Sequence, residues 1–315
     1  MDSGDILVPL VNSIDSLWPY EIKPGIRETG SLFEILRGCR FGIDSSGDII
    51  FIPSKNQSRF LGAYDTPQPI VDFLSRSSIV PFRDIDRIPV VLDPSCGAGY
   101  FLITAIDLLH YLFPDFPIEH IVENHIRGID IDESACALTR RNIFHHLRIQ
   151  YAIILPDEIL NNSIIRSDFL CDISKFPLES DFVDVIIGNP PYQFLSGRGS
   201  PVASLKNQGQ IDKARKVSDE IETYIRRFPG SSIGCVDKYK WFIDRSVNIL
   251  LDNGFLAFIT PDTWLFYPRY SDVRSLLNSN GQIQSVMDFG TSAFKKANVT
   301  STAFIWKKCK NTKRY

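Results

Sequence analysis

The chain has 315 residues, 44% of them hydrophobic, and a formal net charge of -3. A chain of this length and composition can bury one large or two smaller cores, which excludes a largely disordered protein. The charge excludes a globally basic surface, so any contact with nucleic acid must come from local clusters of Lys and Arg.

The cysteines and histidines predict no metal site. The six cysteines contain no C-x-x-C pair, and the five histidines complete no ligand set with them. The N-terminal stretch carries acids where a signal peptide needs positive charge, and no apolar run reaches about 18 residues. We therefore expect a soluble, cytoplasmic protein with reduced thiols and no membrane segment.

Strand-like apolar runs alternate with helical patterns from Thr66 onward. The predicted strands are Val90–Leu92, Ile126–Ile129, Asp184–Ile187, Phe255–Thr260, Ser285–Phe289 and Thr302–Trp306. The predicted helices are Pro69–Ser75, Phe101–Leu112, Ser134–Leu147 and Tyr239–Leu251. This alternation predicts an α/β fold with a doubly wound, mostly parallel, Rossmann-like sheet. Ligands of such sheets bind beyond the carboxyl ends of the strands, so the polar clusters there should meet in one crevice.

Two stretches stand apart from this alternation. Residues 1–57 give only a weak signal and are interpreted as an N-terminal extension of a main domain at 58–315. Residues 193–237 begin with the Gly/Ser-rich SGRGSPVAS and continue with the charged helical pattern DKARKVSDEIETYIRRF. We interpret this second stretch as an insertion at the mouth of the crevice.

The stretch VVLDPSCGAGYF joins a buried strand to a helix through a turn with Gly97 and Gly99. Glycine lets a ligand approach the backbone, and N–H groups at a helix start can bind a carboxylate. The spacing is not G-x-G-x-x-G and no Lys follows as in a P-loop, which disfavours pyrophosphate or triphosphate ligands. A ligand with an amino-acid end and a nucleoside end fits better. For this stretch alone, a plain connecting loop is an equal alternative.

Two carboxylates follow the next apolar runs. Asp130 ends the second predicted strand, where it can accept both hydroxyls of a ribose, and the alternative is an ordinary strand-end Asp. Asp168, in SDFL, could accept from an adenine amino group, although taken singly a structural role is the stronger interpretation.

The most specific string is VIIGNPPYQ, at the end of a buried strand. The lone pair of an aromatic amine is delocalised, so such a nitrogen is a poor nucleophile. If the Asn189 side-chain oxygen and the Pro190 carbonyl accept its hydrogens, the lone pair can point at a methyl donor. Pro190 and Pro191 stiffen this segment, and Tyr192 offers a ring for stacking a planar substrate. The alternative is a turn that merely ends the strand.

In this order the motifs resemble those of the gamma-type DNA adenine-N6 methyltransferases, including the catalytic domains of type II and IIG restriction-modification methylases. The matching segments are AYDTPQPIVDFL, DPSCGAGYF, GIDIDES, SDFL and GNPPY. The match continues through KYKWFIDRSVNILLDNGFLAFITPDTWL and VMDFGTSAFKKANVTSTAFIW and covers roughly Ser58 to Lys308. The resemblance implies the methyltransferase fold that uses S-adenosylmethionine.

The resemblance also implies residue roles. Thr66 would contact the methionine end of the cofactor, and Asp93 would hold its amino group. Asp130 would bind the ribose, Asp168 the cofactor adenine, and Phe294 would pack on the other face of a flipped base. The implied cofactor-binding set is Thr66, Asp93, Pro94, Cys96, Gly97, Gly99, Asp130, Asp168 and Asn189. The implied catalytic set is Asn189, Pro190, Pro191, Tyr192 and Phe294.

The chain departs from the family because members normally continue into a separate DNA-recognition domain, and no such C-terminal domain is expected here. We therefore expect DNA as the partner, with a recognition module supplied by another chain, or else a reduced remnant of such a system. Local positive charge for phosphates would come from Lys295, Lys296, Lys307, Lys308 and Lys310.

Two other functions stay open. The same chemistry could serve an amide or amine of a small molecule or peptide, which the net charge and the missing domain favour. The full order of motifs favours DNA. A cofactor-binding module without catalysis should have lost Asn189 or the glycine loop, and both are intact.

Overall fold

The computed structural model describes residues 39–43, 49–53, 66–85, 87–171, 183–197, 200–291 and 300–309. Phe294, Lys295, Lys296 and Lys310 lie outside these ranges. Strands β1 (Cys39–Ile43) and β2 (Ile49–Pro53) pair as an antiparallel hairpin inside the predicted N-terminal extension. The sequence signal there was too weak to predict it.

The main sheet contains seven strands among the described residues. They are β3 (Val91–Asp93), β4 (Ile126–Asp130), β5 (Ile164–Arg166), β6 (Val183–Gly188), β7 (Leu250–Pro261), β8 (Gly281–Gly290) and β9 (Ser301–Lys308). Their spatial order is β5-β4-β3-β6-β7-β9-β8. The first five in this order are parallel, and β9 runs antiparallel to both β7 and β8. The predicted doubly wound, mostly parallel fold is confirmed.

Helices connect and cover the strands. In the described ranges they are α1 (Gln68–Ile79), α2 (Tyr100–Leu112), α3 (Ile118–His125), α4 (Glu133–Tyr151), α5 (Asp157–Ser163), α6 (Pro201–Asn207), α7 (Ile211–Arg227), α8 (Lys238–Ile249), α9 (Thr263–Phe266) and α10 (Ser271–Asn280). Each predicted helix and strand is present, with ends shifted by a few residues. The prediction missed β5, which has only three residues, and the helices α3, α5, α6, α9 and α10.

Strand periodicity explains why both faces of the sheet are covered. In β7, Phe255, Ala257 and Ile259 belong to one hydrophobic cluster, while Leu256 and Phe258 belong to the other. Successive side chains of a strand point to opposite faces, so a continuous apolar run buries both. Helices α1 to α4 cover the first face, and α8 and α10 cover the second.

The two ends of the predicted insertion, residues 193–237, are held together. Phe194 and Asp237 form an antiparallel bridge, flanked by bonds from the Leu195 N–H to the Val236 carbonyl (2.9 Å) and from the Lys238 N–H to the Gln193 carbonyl (3.0 Å). The chain therefore leaves the sheet and returns at one point, with α6 and α7 between. The insertion boundaries and the division at residue 58 stay predictions.

In the part of the chain that the structure describes, no helix combines the length and apolar character needed to cross a membrane.

Candidate active site

Four polar side chains lie at the carboxyl ends of adjacent parallel strands. Asp93 ends β3, Asp130 ends β4, Asp168 follows β5, and Asn189 follows β6. The strand order therefore arranges them along the sheet edge as Asp168, Asp130, Asp93 and Asn189. Neighbouring strands are about 4.8 Å apart, so the ends of the three strands before Asp168, Asp130 and Asp93 span about 10 Å. The crevice is predicted at this edge, because the strand order reverses here between β3 and β6.

Asp93 is almost fully buried, with 1% of its surface exposed. Its Oδ1 accepts a hydrogen bond from the Ser95 N–H at 3.0 Å. Burial raises the pKa of Asp93 to about 8, and the nearby Asp130 carboxyl adds to the increase. A β-carbon on Gly188 would lie 2.7 Å from Asp93 Oδ1, so glycine is required beside it. A buried carboxyl of this kind gains most from a cationic partner, because a cation stabilises its charged form.

Asp130 holds two loops together. Its Oδ2 accepts from the Gly97 N–H at 3.1 Å, and its Oδ1 accepts from the Asp132 N–H at 3.0 Å. Each carboxylate oxygen can accept two hydrogen bonds, so these N–H contacts are compatible with the predicted contact to a ribose. The sequence did not show that Asp130 also fixes the glycine loop.

The glycine loop packs on α4. Gly99 has φ +85°, and a β-carbon there would lie 2.9 Å from Thr139 Cγ2. The Thr139 hydroxyl donates to the Gly97 carbonyl at 2.9 Å, and the Cys96 side chain is buried in the core. Helix packing therefore explains the need for glycine at position 99. A β-carbon on Gly97 would meet only the Ser95 carbonyl oxygen, at 3.9 Å. Cofactor contacts by Gly97, Gly99, Cys96 and the buried Pro94 stay predictions.

Asn189 is fixed from two sides. Its Nδ2 donates to the hydroxyl of Thr66 at 3.1 Å, and its backbone carbonyl accepts from the Ser95 hydroxyl at 3.2 Å. Thr66 is 4% exposed, so this contact is sheltered from water. The segment that begins at Thr66, the glycine loop and the N-P-P-Y loop therefore meet at one residue, Asn189. Sequence reasoning missed Ser95 because an isolated serine in a loop gives no signal.

The rest of the N-P-P-Y loop is shielded. Pro190 is buried, Pro191 is half-buried, and the half-buried Tyr192 ring packs against the cluster under α1 and α2. The contact surface of this ring toward a substrate stays a prediction.

Asp168 is joined to the insertion. Its Oδ2 lies 2.6 Å from the hydroxyl of Tyr224 on α7, and its Oδ1 accepts from the Leu170 N–H at 3.0 Å. The same hydroxyl lies 2.9 Å from Glu220 Oε1. Burial and the hydrogen bond to Asp168 raise the pKa of Tyr224, so its hydroxyl stays protonated at neutral pH. Sequence reasoning missed Tyr224, which sits in an otherwise charged helix.

The register of β9 locates two of the lysines that are predicted to contact phosphates. Ser301 pairs with Pro261 at the carboxyl end of β7, whereas Lys307 pairs with Phe255, six residues earlier in that strand. Six residues of strand span about 20 Å, so Lys307 and Lys308 lie away from the crevice. Lys308 Nζ instead donates to the carbonyls of Val247 and Leu250 at 2.8 and 2.7 Å. This register separates both lysines from the predicted crevice, and contact of Lys307 and Lys308 with phosphates stays a prediction.

Comparison with known proteins gives one family. The model of the Eco57I restriction-modification methylase family matches residues 124–294, which is more than half of the chain. The chain is 24% identical over 322 residues to the type II restriction enzyme and methyltransferase RM.Eco57I of Escherichia coli, covering 88% of this chain and 31% of that protein. It is 24% identical over 315 residues to the adenine-specific methyltransferase PglX of Lacticaseibacillus casei (strain Zhang), covering 78% of this chain and 26% of that protein. The chain thus spans about a third or less of these relatives.

The fold matches solved structures as well. A Listeria monocytogenes protein assigned to the class I S-adenosylmethionine-dependent methyltransferases superposes with a TM-score of 0.53 at 19% identity. The superposition covers 99% of this chain and 80% of that one. At this identity the likeness establishes the fold.

Proposed function

Because this chain belongs to the Eco57I restriction-modification methylase family, we propose that it transfers a methyl group from S-adenosylmethionine to the N6 amino group of adenine in DNA. The proposed catalytic domain is 58–315, with an extension at 1–57 and the insertion at 193–237. We propose that the protein acts in the cytoplasm. Similarity to RM.Eco57I and to the adenine-specific PglX supports this choice of reaction.

The row of carboxylates fits the proposed cofactor. Buried Asp93 suits its cationic amino group, Asp130 suits the ribose diol, and Asp168 suits the adenine amino group. Their order along the sheet edge matches the order of these groups along the molecule, and a span of about 10 Å suits its extended length. When bound, S-adenosylmethionine supplies an electrophilic methyl group on a sulfonium.

The observation that carries the proposal is the pair of contacts that fix Asn189. Thr66 holds its amide nitrogen, which directs the amide oxygen away from Thr66, and Ser95 holds its backbone. In the proposed mechanism, this oxygen and the Pro190 carbonyl accept the hydrogens of the substrate amine. Acceptors fixed before the reaction stabilise a transition state without reorganisation. Asn189 also follows β6, directly beside the β3 strand that ends in Asp93.

Two aromatic residues would hold the substrate base. We propose that a flipped adenine stacks on Tyr192 and is covered by Phe294. The segment that contains Phe294 lies between Gly290 and Ser301, which pair with each other at the carboxyl end of β7. We also propose that a recognition module on another chain supplies sequence recognition.

The test is a tritiated-methyl transfer assay on duplex DNA, single-stranded DNA and a metabolite extract. Label should appear in N6-methyladenine. The Asn189→Ala variant should keep cofactor affinity within a few fold and lose roughly 10²–10³-fold in rate, as expected for one transition-state hydrogen-bonding group. Asn161→Ala, at an exposed position of α5, is the matched control and should behave as the wild type. Label confined to small molecules or peptides would replace DNA by an amide or amine substrate.

A further inference from the structure

Arg269 lies among three aromatic rings beside the N-P-P-Y loop. Its guanidinium carbon is 5.5 Å from the ring centroid of Phe194 and 5.4 Å from those of Tyr267 and Tyr270. An arginine within about 6 Å of a ring centroid is attracted by the ring quadrupole. Three such contacts restrict the guanidinium to a small region, which lowers the entropy cost of binding an anion.

The backbone of Arg269 is fixed as well. A β-carbon on Gly234 would approach the Arg269 carbonyl oxygen to 2.4 Å, so the end of the insertion packs tightly against this turn. The Cys235 thiol donates to the same carbonyl at 3.6 Å. Both ends of the arginine, its backbone and its guanidinium, are thus positioned by neighbouring residues.

The charge of Arg269 is not neutralised within the described part of the chain, where it forms no ion pair. Arg87 and Arg140, by contrast, pair with Asp184 and Glu133. Arg269 is also exposed, although its flanking ring at Tyr270 is buried. Its planar set of N–H donors is therefore available to an external anion, and phosphate matches that geometry.

Arg269 lies near the edge of the sheet at which the crevice is predicted. Phe194 follows Tyr192 by two residues, a reach of at most about 7 Å along the chain. The turn with Tyr267 and Arg269 follows β7, whose carboxyl end lies beside that of β6. Lys307 pairs with Phe255, six residues before the carboxyl end of β7, and so lies away from this edge.

We propose that Arg269 binds a backbone phosphate of the nucleic-acid strand whose base enters the crevice. The proposal rests on the proposed function. Because the chain has a net charge of -3, binding of DNA requires local positive groups, and Arg269 would be one of them. Phe194 and Tyr267, which are 38% and 52% exposed, would lie beside the same strand and offer ring faces to neighbouring bases. Arg269 would thus hold the strand next to the site of base extrusion.

The experiment measures binding of the full chain to a fluorescent DNA duplex by anisotropy across a salt series. Arg269→Ala and Arg269→Gln should each weaken binding by roughly 2- to 5-fold, as expected for one solvent-exposed ion pair. Each should also reduce the slope of log K against log salt by about 0.9, the value for one phosphate. Arg269→Lys should retain the wild-type slope, because it retains the charge.

Arg148→Ala is the matched control. Arg148 is exposed in the last turn of α4, a helix that begins at the carboxyl edge of the sheet and runs away from it, so this variant should not change the slope. Thermal melting and cofactor affinity check the fold of each variant, and the Gln variant keeps the apolar stem if the Ala variant is unstable. Suppose that the wild type methylates DNA and that folded Arg269→Gln shows the same affinity and the same slope as the wild type. This result would overturn the phosphate site alone. A wild type that neither binds nor methylates DNA would overturn the proposed function as well.

Discussion

The hydroxyl of Tyr224 lies 2.6 Å from Asp168 Oδ2 and 2.9 Å from Glu220 Oε1, so one phenolic proton stands between two carboxyl groups. Tyr224 belongs to α7 of the insertion, and Asp168 belongs to the predicted adenine pocket. A hydroxyl can donate to one acceptor at a time. The orientation of Asp168 therefore depends on helix α7 of the predicted insertion.

We expect Tyr224→Phe to weaken S-adenosylmethionine binding by roughly tenfold, because a hydrogen bond to a charged group contributes about 1.5–3 kcal/mol. The ring contact with Trp241, at 5.1 Å between centroids, is kept in this variant. Calorimetric titration measures the affinity. The control is Tyr111→Phe, at a tyrosine that is 80% exposed. Equal affinities for Tyr224→Phe and the wild type would show that Asp168 is positioned without Tyr224 or does not bind the cofactor.

Cofactor affinity should depend on pH through Asp93. Burial raises the pKa of this carboxyl to about 8, and only its ionised form can hold a cationic amino group. Below that pH, binding must first remove a proton, so the association constant should rise roughly 10- to 50-fold from pH 6 to pH 8. The rise should end near pH 8, where an α-amino group itself loses its proton at about 7.7–8.0.

The measurement is calorimetry in two buffers with different ionisation enthalpies, which reports the proton released on binding. Asp93→Asn should bind weakly and without this pH dependence. Asp115→Asn, at an exposed position, should keep the wild-type profile. A wild-type affinity that is flat between pH 6 and pH 8 would remove Asp93 from the amino-group site.

Thr66→Val should slow methyl transfer about tenfold, which corresponds to roughly 1.4 kcal/mol, because it removes the acceptor that holds the Asn189 amide. Thr66→Ser keeps the hydroxyl and should stay near the wild-type rate. Single-turnover assays separate this effect from product release. Since Thr66 would act through Asn189, adding Thr66→Val to Asn189→Ala should cause little further loss. Fully additive losses would show that Thr66 acts on the cofactor instead.

Stability should fall as pH rises from about 4 to about 7 because of Asp237. Burial raises the pKa of this carboxyl from 3.8 to about 7, against smaller opposing effects of the Tyr270 hydroxyl and of Lys240. A group with a raised folded-state pKa contributes stability fully below its unfolded pKa and loses that contribution as pH passes its folded pKa. Lys240 keeps a partner without Asp237, since its Nζ lies 2.7 Å from Asp272 Oδ2.

We therefore expect Asp237→Asn to exceed the wild type in free energy of unfolding by roughly 1–3 kcal/mol at pH 8, with the two proteins converging toward pH 4. Denaturant titrations at several pH values measure this difference. Asp115→Asn again serves as the exposed control. Parallel pH profiles for Asp237→Asn and the wild type would mean that folding does not raise the pKa of this carboxyl.

The sequence by itself determined the features that depend on local pattern. Apolar runs of strand length, separated by amphipathic stretches, require a sheet covered on both faces, because each apolar side chain must be buried. The positions of Asp93, Asp130 and Asn189 followed from the same pattern, since each stands where an apolar run ends. Strand β5 escaped prediction because three residues are too few to show a period.

Only the tertiary structure decided which distant residues meet. Thr66 and Asn189 are 123 positions apart, and Asp168 and Tyr224 are 56 apart, so no local period relates them. The antiparallel register of β9 placed Lys307 away from the edge of the sheet at which the crevice is predicted, although in sequence it closely follows the segment that contains Phe294. The end of the sheet at which a charged residue lies depends on the direction of its strand. That direction depends on pairing between segments far apart in the chain, which the sequence alone does not show.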